Sequence, residues 1–221
     1  MTQPSNSNTE GFSAEYHAAL LAGLIHKLNN IITVLSGHSG LLLLEPQLKG
    51  DTLQAVQQIS RAAQLLSRCI DEAAIISRVG PLSLESIALS ELFESLASPP
   101  ALSTTKQFGE EVRVMADRRK LKAIFEEILR NASEANAKSA VVTVGTDAGS
   151  VEIRFRDDGH GIKPAVKSRV FDPFFTTRKQ EDKFGLGLFR AKGDLARMKG
   201  KIFVESDGKT YTDILVRLPA G

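Results

Sequence analysis

The run FRDDGHGIKPAVKSRVFDPFFTTRKQEDKFGLGL, residues 155–188, holds two glycine-punctuated motifs with a long segment between them. It begins in an alternating segment, Val151, Ile153 and Phe155 against Glu152 and Arg154, which reads as a half-buried strand. The strand runs directly into Asp157-Asp158-Gly159-His160-Gly161-Ile162. A carboxylate at a strand end, beside glycines that allow close approach, suits hydrogen bonding to an exocyclic amine. Gly185-Leu186-Gly187-Leu188 opens a helix expected over Leu186 to Lys199, where free N–H groups and the helix dipole can hold phosphate. Lys163 to Phe184 separates the two, a length uncommon in a compact domain unless it serves as a lid.

Upstream of this run, Asp117 to Asn136 reads as an amphipathic helix with Asp117 as N-cap and Leu121, Ile124, Phe125, Ile128 and Leu129 as its apolar stripe. Glu127 and Asn131 lie four apart on one face of it, a carboxylate and an amide able to share a Mg²⁺ shell or position a water. Short strands are expected at Val112–Val114, Val141–Val144, Val151–Phe155, Ile202–Val204 and Ile214–Leu218. Antiparallel strands mixed with helices imply an α+β sandwich with helices on one face. No G-x-x-x-x-G-K-[ST] is present, so this is not a P-loop site.

The first half has a different period. Leu21, Leu28, Leu35 and Leu42 recur every seventh residue, with Leu24, Ile31 and His38 between them, and Pro46–Asp51 breaks the run. A second helical pattern follows: Leu53, Val56, Ile59, Ala63, Leu66, Ile70 and Ala73, stopped by Gly80-Pro81. Two seamed helices joined by a short loop make an antiparallel hairpin. One hairpin cannot cover both seams, so a homodimer through residues 12–80, forming a four-helix bundle, is expected. On this heptad His26 falls at the most exposed position, whereas His17 and His38 fall on the seam. Asn29 and Asn30 lie three and four residues beyond His26. An exposed imidazole is a usable nucleophile near neutral pH.

Composition narrows the classes further. The 221 residues are 42% hydrophobic and 24% charged, which excludes a mostly disordered chain. Lys and Arg total 28 against 26 Asp and Glu, a net charge of +2, too small for a nucleic-acid footprint. Cys69 is the single cysteine, so an intrachain disulfide and a cysteine-rich zinc site are excluded and a reducing, cytoplasmic setting is expected. No membrane-spanning run of about 18 apolar residues occurs. Residues 1–11 are Ser, Asn and Thr rich and are expected to be disordered. The expected domains are therefore 12–80 and 81–221.

The order E-x-x-x-N, D-x-G-x-G, long segment, G-x-G resembles the ATP-binding domain shared by histidine kinases, DNA gyrase, Hsp90-type chaperones and MutL-type repair proteins. EEILRNASEA stands as the N box, DDGHGI as the G1 box, FDPFF as the F box and FGLGL as the G2 box. The hairpin with LIHKLNN is similar to the dimerisation and phosphoacceptor domain of two-component sensor histidine kinases. This resemblance implies that His26 is phosphorylated from ATP and passes the group to an aspartate on the receiver domain of a response regulator. It implies that Asn131 holds Mg²⁺ against the phosphates and that Asp157 binds the adenine amine. Gly159, Gly161, Gly185 and Gly187 would shape the pocket and its hinges. Ile162, Phe171, Leu186 and Leu188 fall in the same boxes, and Thr177 and Arg178 just beyond the F box, as implied nucleotide contacts. Glu127 would be catalytic, and Asn30 would orient water during dephosphorylation of the partner.

Three positions depart from the pattern. Lys27 stands where such kinases carry the Glu or Asp that takes the histidine proton. Lys183 replaces the first glycine of a fuller G-x-G-x-G. Glu127 stands where many histidine kinases have Asn, and ATPase relatives use a Glu there to activate water. Two further functions fit parts of the pattern: a phosphotransferase or response-regulator phosphatase that Lys27 would favour, and an anti-sigma-factor-like nucleotide-binding module that would lack the hairpin.

Overall fold

Apolar residues spaced three and four apart drive the first half into two long helices. A computed structural model describes residues 14–77, 80–109, 112–147, 149–177 and 183–221. Helix α1 spans Ala14–Leu43 and α2 spans Gly50–Ser77, with side chains described from 21 to 74. The stretch expected to be disordered, residues 1–11, and the side chain of His17 lie outside the described residues. The chain divides into two compact units between Gly80 and Pro81.

Within the hairpin, α1 turns Ile25, Asn29, Ile32, Ser36, Ser39 and Leu43 inward, and α2 turns Leu53, Val56, Ser60, Ala63, Ser67, Ile70 and Ala74 inward. Both sets alternate steps of three and four, yet the stripe on α1 is not the expected one. Leu28 is 40% exposed, Ile31 57% and Leu35 44%, and His38 is exposed instead of packed. On α2, Ile59 and Leu66 are also exposed while Val56, Ala63 and Ile70 are buried. The reason lies in side-chain size. Ser36, Ser39, Ser60, Ala63 and Ser67 between the helices permit a close interaxial approach that stacked leucines would prevent. The leucine stripe is left on the outer side of the hairpin. No described helix is long and apolar enough to cross a membrane.

The second unit is a two-layer α+β arrangement. Its elements are β1 (Leu84–Ala88), α3 (Leu89–Glu94), β2 (Ser103–Gln107), β3 (Arg113–Asp117), α4 (Arg118–Glu134), β4 (Ser139–Asp147), β5 (Ser150–Asp157), α5 (Pro164–Lys167), α6 (Gly187–Arg197), β6 (Lys201–Ser206) and β7 (Thr212–Pro219). Strands β1 and β3 pair antiparallel, and a five-stranded sheet has the order β2-β4-β5-β7-β6. The pairing of β2 with β4 is parallel and the others are antiparallel, so the sheet is mixed. Inward residues of the sheet, among them Val142, Ile153, Phe155, Ile214 and Val216, meet Leu121, Phe125, Ile128 and Leu129 of α4 and Leu195 of α6.

Aromatic contacts fix α4 on the sheet. Phe125 lies 5.1 Å from Phe93 of α3 and 5.0 Å from Phe155 of β5, ring centre to ring centre. Such pairs add roughly 0.5–1.5 kcal/mol each beyond the area they bury. Asp117 starts α4 as its N-cap: one carboxylate oxygen accepts from the Lys120 N–H at 3.2 Å and the other from the Ser83 N–H at 3.0 Å. Burial alone would raise its carboxyl, but the Ser83 and Lys120 N–H groups and the Arg119 charge outweigh that and hold it below its ordinary value. Asn136, at φ 62°, ends α4 in the left-handed region, a conformation asparagine adopts readily at a helix C-terminus.

Candidate active site

The end of β5 carries two adjacent carboxylates with different work. Asp158 is exposed and ties strands together: it accepts from the N–H groups of Lys138 at 2.7 Å and Ser139 at 2.9 Å, and from the Ser139 hydroxyl at 2.8 Å. Those Ser139 and Lys138 bonds hold its carboxyl below its ordinary value. Asp157 points the other way, into the layer between sheet and helices, and is 8% exposed. Burial raises its carboxyl above its ordinary value, and the neighbouring charges of Asp158 and Asp213 push the same way. The N–H groups of Gly159 and Thr212 pull against this, the first donating to Asp157 Oδ1 at 2.9 Å.

The glycines of this segment are required by its packing. A Cβ on Gly159 would sit 2.9 Å from the Cβ and the carbonyl oxygen of Ala135 at the end of α4. Gly161, at φ +69°, would meet the Lys209 backbone nitrogen at 2.7 Å. The Ile162 N–H then donates to Ser206 Oγ at 2.8 Å, fastening the segment to the β6–β7 turn. The N–H groups of Lys209 and Thr210 donate to Asp207, shaping that turn.

Midway along α4, two turns before Ala135, Glu127 is buried and holds a partner on each carboxylate oxygen. Arg130 pairs with its Oε2, and Asn131 Nδ2 donates to its Oε1 at 3.1 Å. The same carboxylate lies against Gly187, where any Cβ would collide with it. Helix α6 begins there. Its N-cap, Leu186, is buried and offers the first-turn N–H groups no side-chain cap. Gly185, at φ +63°, packs on the Phe175 backbone. Leu188 is half-buried. Ala123, Ile124, Glu127, Gly187, Arg190, Ala191 and Asp194 line a small cleft between α4 and α6.

Helix α4 therefore spaces the site. Ala135 touches the Asp157–Gly159 end, and Glu127 touches the α6 end. Eight residues of helix separate them, a rise of ~12 Å, with Asn131 midway. That length suits a nucleoside triphosphate laid along the helix.

The described part of the intervening segment has structure of its own. It carries the short helix α5 and a turn at the F box. Phe171 is half-buried against the core, with Lys192 Nζ 5.7 Å above its ring. Phe174 is exposed at φ 61°. Thr177 is exposed, and Arg178 lies outside the described residues. Lys183 pairs with Glu134 of α4.

In the helical unit, His26 and Asn30 are both exposed on α1. Asn29, expected on the same face, is half-buried on the inner stripe, and its carbonyl accepts from the Thr33 hydroxyl at 2.8 Å.

Residues not singled out from sequence are Ala135, Asp158, Ser206, Asp207, Phe175 and Arg130. Arg130, three residues from Glu127, and Asp158 and Phe175, inside the quoted motifs, had a local signal; Ser206 and Asp207 did not.

The donor set bears on a divalent cation. Among the described residues no group of three or more His, Cys, Asp or Glu side chains is arranged to hold a metal. With Nδ2 donated to Glu127, Asn131 presents Oδ1, a neutral hard oxygen. Mg²⁺ characteristically takes one or two protein oxygens with substrate phosphates and water, so this set fits it as a companion of a triphosphate.

Comparison with known proteins agrees with this geometry. Residues 116–221 match the family model described as histidine kinase-, DNA gyrase B-, and HSP90-like ATPase. The chain is 26% identical over 210 residues to sporulation kinase A of Bacillus subtilis, covering 90% of this chain and 34% of that protein. It is 28% identical over 204 residues to the sensor histidine kinase ZraS of Salmonella typhi, covering 86% of this chain and 43% of that protein. It thus spans less than half the length of these curated relatives. Among solved structures, full-length ShkA in complex with AMPPNP matches at a TM-score of 0.65 and 21% identity, over 92% of this chain and 46% of that one. The catalytic domain of histidine kinase ThkA matches at 0.53 and 24%, over 62% of this chain and 96% of that one. Fold and family match converge: residues 116–221 form an ATPase domain like those of histidine kinases, DNA gyrase B and HSP90.

Proposed function

We propose that this chain is the core of a two-component sensor histidine kinase, which moves the γ-phosphoryl group of ATP to His26 and then to an aspartate of a receiver domain. The observation that carries the reading is the arrangement along α4, with a buried acceptor, Asp157, at one end and the uncapped start of α6 beside Glu127 at the other. Asp157 accepts from the adenine amine. Asn131 Oδ1 holds Mg²⁺, which when bound neutralises phosphate charge. The first-turn N–H groups of α6 take phosphate oxygens. In the transfer, an imidazole nitrogen of His26 bonds to the γ-phosphorus, the bond to the ADP oxygen breaks, and the imidazole loses a proton. Positioning and charge neutralisation supply most of the catalysis in such steps.

Dimerisation through the helical unit follows from the outward leucine stripe of α1, which a second hairpin would cover. The similarity to kinases runs over 86–90% of the chain and so includes the hairpin, which weighs against a nucleotide-binding module alone. The deciding experiment is incubation with γ-labelled ATP and Mg²⁺. We expect an acid-labile, base-stable label on the wild type that His26→Ala lacks and that a receiver domain removes. Label persisting in His26→Ala overturns the acceptor assignment. Absence of label on a wild type that binds ATP and dephosphorylates a receiver favours the phosphatase reading.

A further inference from the structure

We propose that Lys183 is a phosphate-contacting residue held in reserve by Glu134, leaving that carboxylate for the triphosphate when nucleotide enters. The inference rests on the nucleotide site argued above and adds a residue that the boxes do not supply.

Lys183 occupies the place where the motif calls for glycine. It lies two residues before Gly185, whose left-handed backbone turns the chain into the start of α6. Its ammonium pairs with Glu134 Oε1, and Glu134 stands three residues beyond Asn131 on α4. The cation is thus parked within one helical turn of the amide assigned to Mg²⁺ and the phosphates.

The surrounding charges decide which cation can move. Arg130 pairs with Glu127, a side chain only 7% exposed, so moving Arg130 would leave a buried carboxylate without its cation. Lys120 is bound to Asp194 at 2.7 Å, a partly buried pair joining α4 to α6. Lys183 is carried by the non-helical chain just before α6, its side chain is 38% exposed, and Glu134 keeps a second cation, Arg130 Nε at 3.8 Å, when Lys183 departs. Exchanging a single, partly buried carboxylate for a polyanion is favourable for an ammonium, whose flexible stem reaches either partner.

The test uses the full chain, calorimetry with Mg·ATP, and adenosine binding followed by NMR as a phosphate-free control. Lys183→Gln should weaken ATP binding about tenfold, the loss of one charge-assisted bond, and leave adenosine binding unchanged. Glu134→Gln should act in the opposite direction, tightening ATP roughly two- to fivefold by freeing Lys183 from a partly exposed pair. Lys183→Arg, which keeps the charge, should bind ATP within a small factor of the wild type. Unchanged ATP affinity in Lys183→Gln, weaker binding in both Gln variants, or an equal loss of adenosine binding overturns the proposal while leaving the nucleotide site standing. A wild type that binds no ATP overturns both.

Discussion

Replacing Asp157 with Asn separates what this carboxylate does for the fold from what it does for a ligand. In the folded domain burial raises the Asp157 carboxyl above its ordinary value of 3.8. Between that value and the folded one, the native state binds a proton that the unfolded chain has released. Stability therefore falls as pH rises through this window, and the deficit persists at neutral pH. An amide at 157 has no proton to lose, and its oxygen still accepts from the Gly159 N–H. Asp157→Asn should thus melt at or above the wild-type temperature at pH 7, and the difference should shrink as pH falls toward the ordinary carboxylate range and the wild-type carboxyl takes up its proton. Binding should move oppositely. Removing the charge from a buried acceptor costs about 1.5–3 kcal/mol, roughly 10- to 150-fold in ATP affinity. Thermal unfolding from pH 4 to 8 and calorimetry with Mg·ATP measure the two effects. A variant less stable than wild type at pH 7, or a difference independent of pH, would refute the account of a strained buried carboxylate. Unchanged ATP affinity would refute its role as the adenine acceptor.

Other outcomes follow from the same geometry. Gly187→Ala drives a methyl group into the Glu127 carboxylate and should destabilise the second unit by about 1–3 kcal/mol, read by thermal unfolding; Glu127→Ser in the same chain should recover most of it. Asp158→Ala removes the three bonds that join the start of β4 to the end of β5 and should lower stability by about 1–2 kcal/mol. Because Asp158 titrates below its ordinary value, that difference is full above about pH 4 and fades as pH falls, the reverse of Asp157. Leu28→Glu with Leu35→Glu, on the outward stripe, should convert a dimer to monomers in sedimentation at tens of micromolar; a wild type that is already monomeric there contradicts the assembly. Lys27→Glu restores an acid beside His26 and should speed its labelling from ATP, since general-base help is worth roughly 10²–10⁴-fold; equal rates exclude the missing base as the limit.

The order of motifs along the chain was legible without coordinates because each is local. A helix cap, a strand end, a glycine turn and a helix start are all written within a few residues, and so Asp117, Asp157 and Gly187 could be assigned to their elements directly. The helical period of residues 14–77 was equally plain. Elements carried by weak local signals were not. Strand β2 is Ser103-Thr104-Thr105-Lys106-Gln107, polar and mostly exposed at a sheet edge, and only its parallel pairing with β4 makes it a strand. Helix α3 is six residues long, too short for periodicity to speak, and is held by burial of Leu89, Leu92 and Phe93.

Three further matters belonged to tertiary structure alone. Which stripe of α1 faces α2 was decided by side-chain bulk: the heptad of leucines looked like the contact, but serines and alanines admit the closer approach, and the leucines turn outward. The alternation of Val151, Ile153 and Phe155 already put Asp157 on the inner side, but the tie of Asp158 to Lys138 and Ser139 was decided by the pairing of β5 with β4. The contact of Glu127 with Gly187 and the pairing of Lys183 with Glu134 were decided by the distance between α4 and the start of α6, since residues far apart in sequence meet only after both elements are packed on the sheet. Sequence periodicity encodes a residue's side of its own element; the identity of its neighbour depends on how two elements approach, and that is set by all the side chains between them at once.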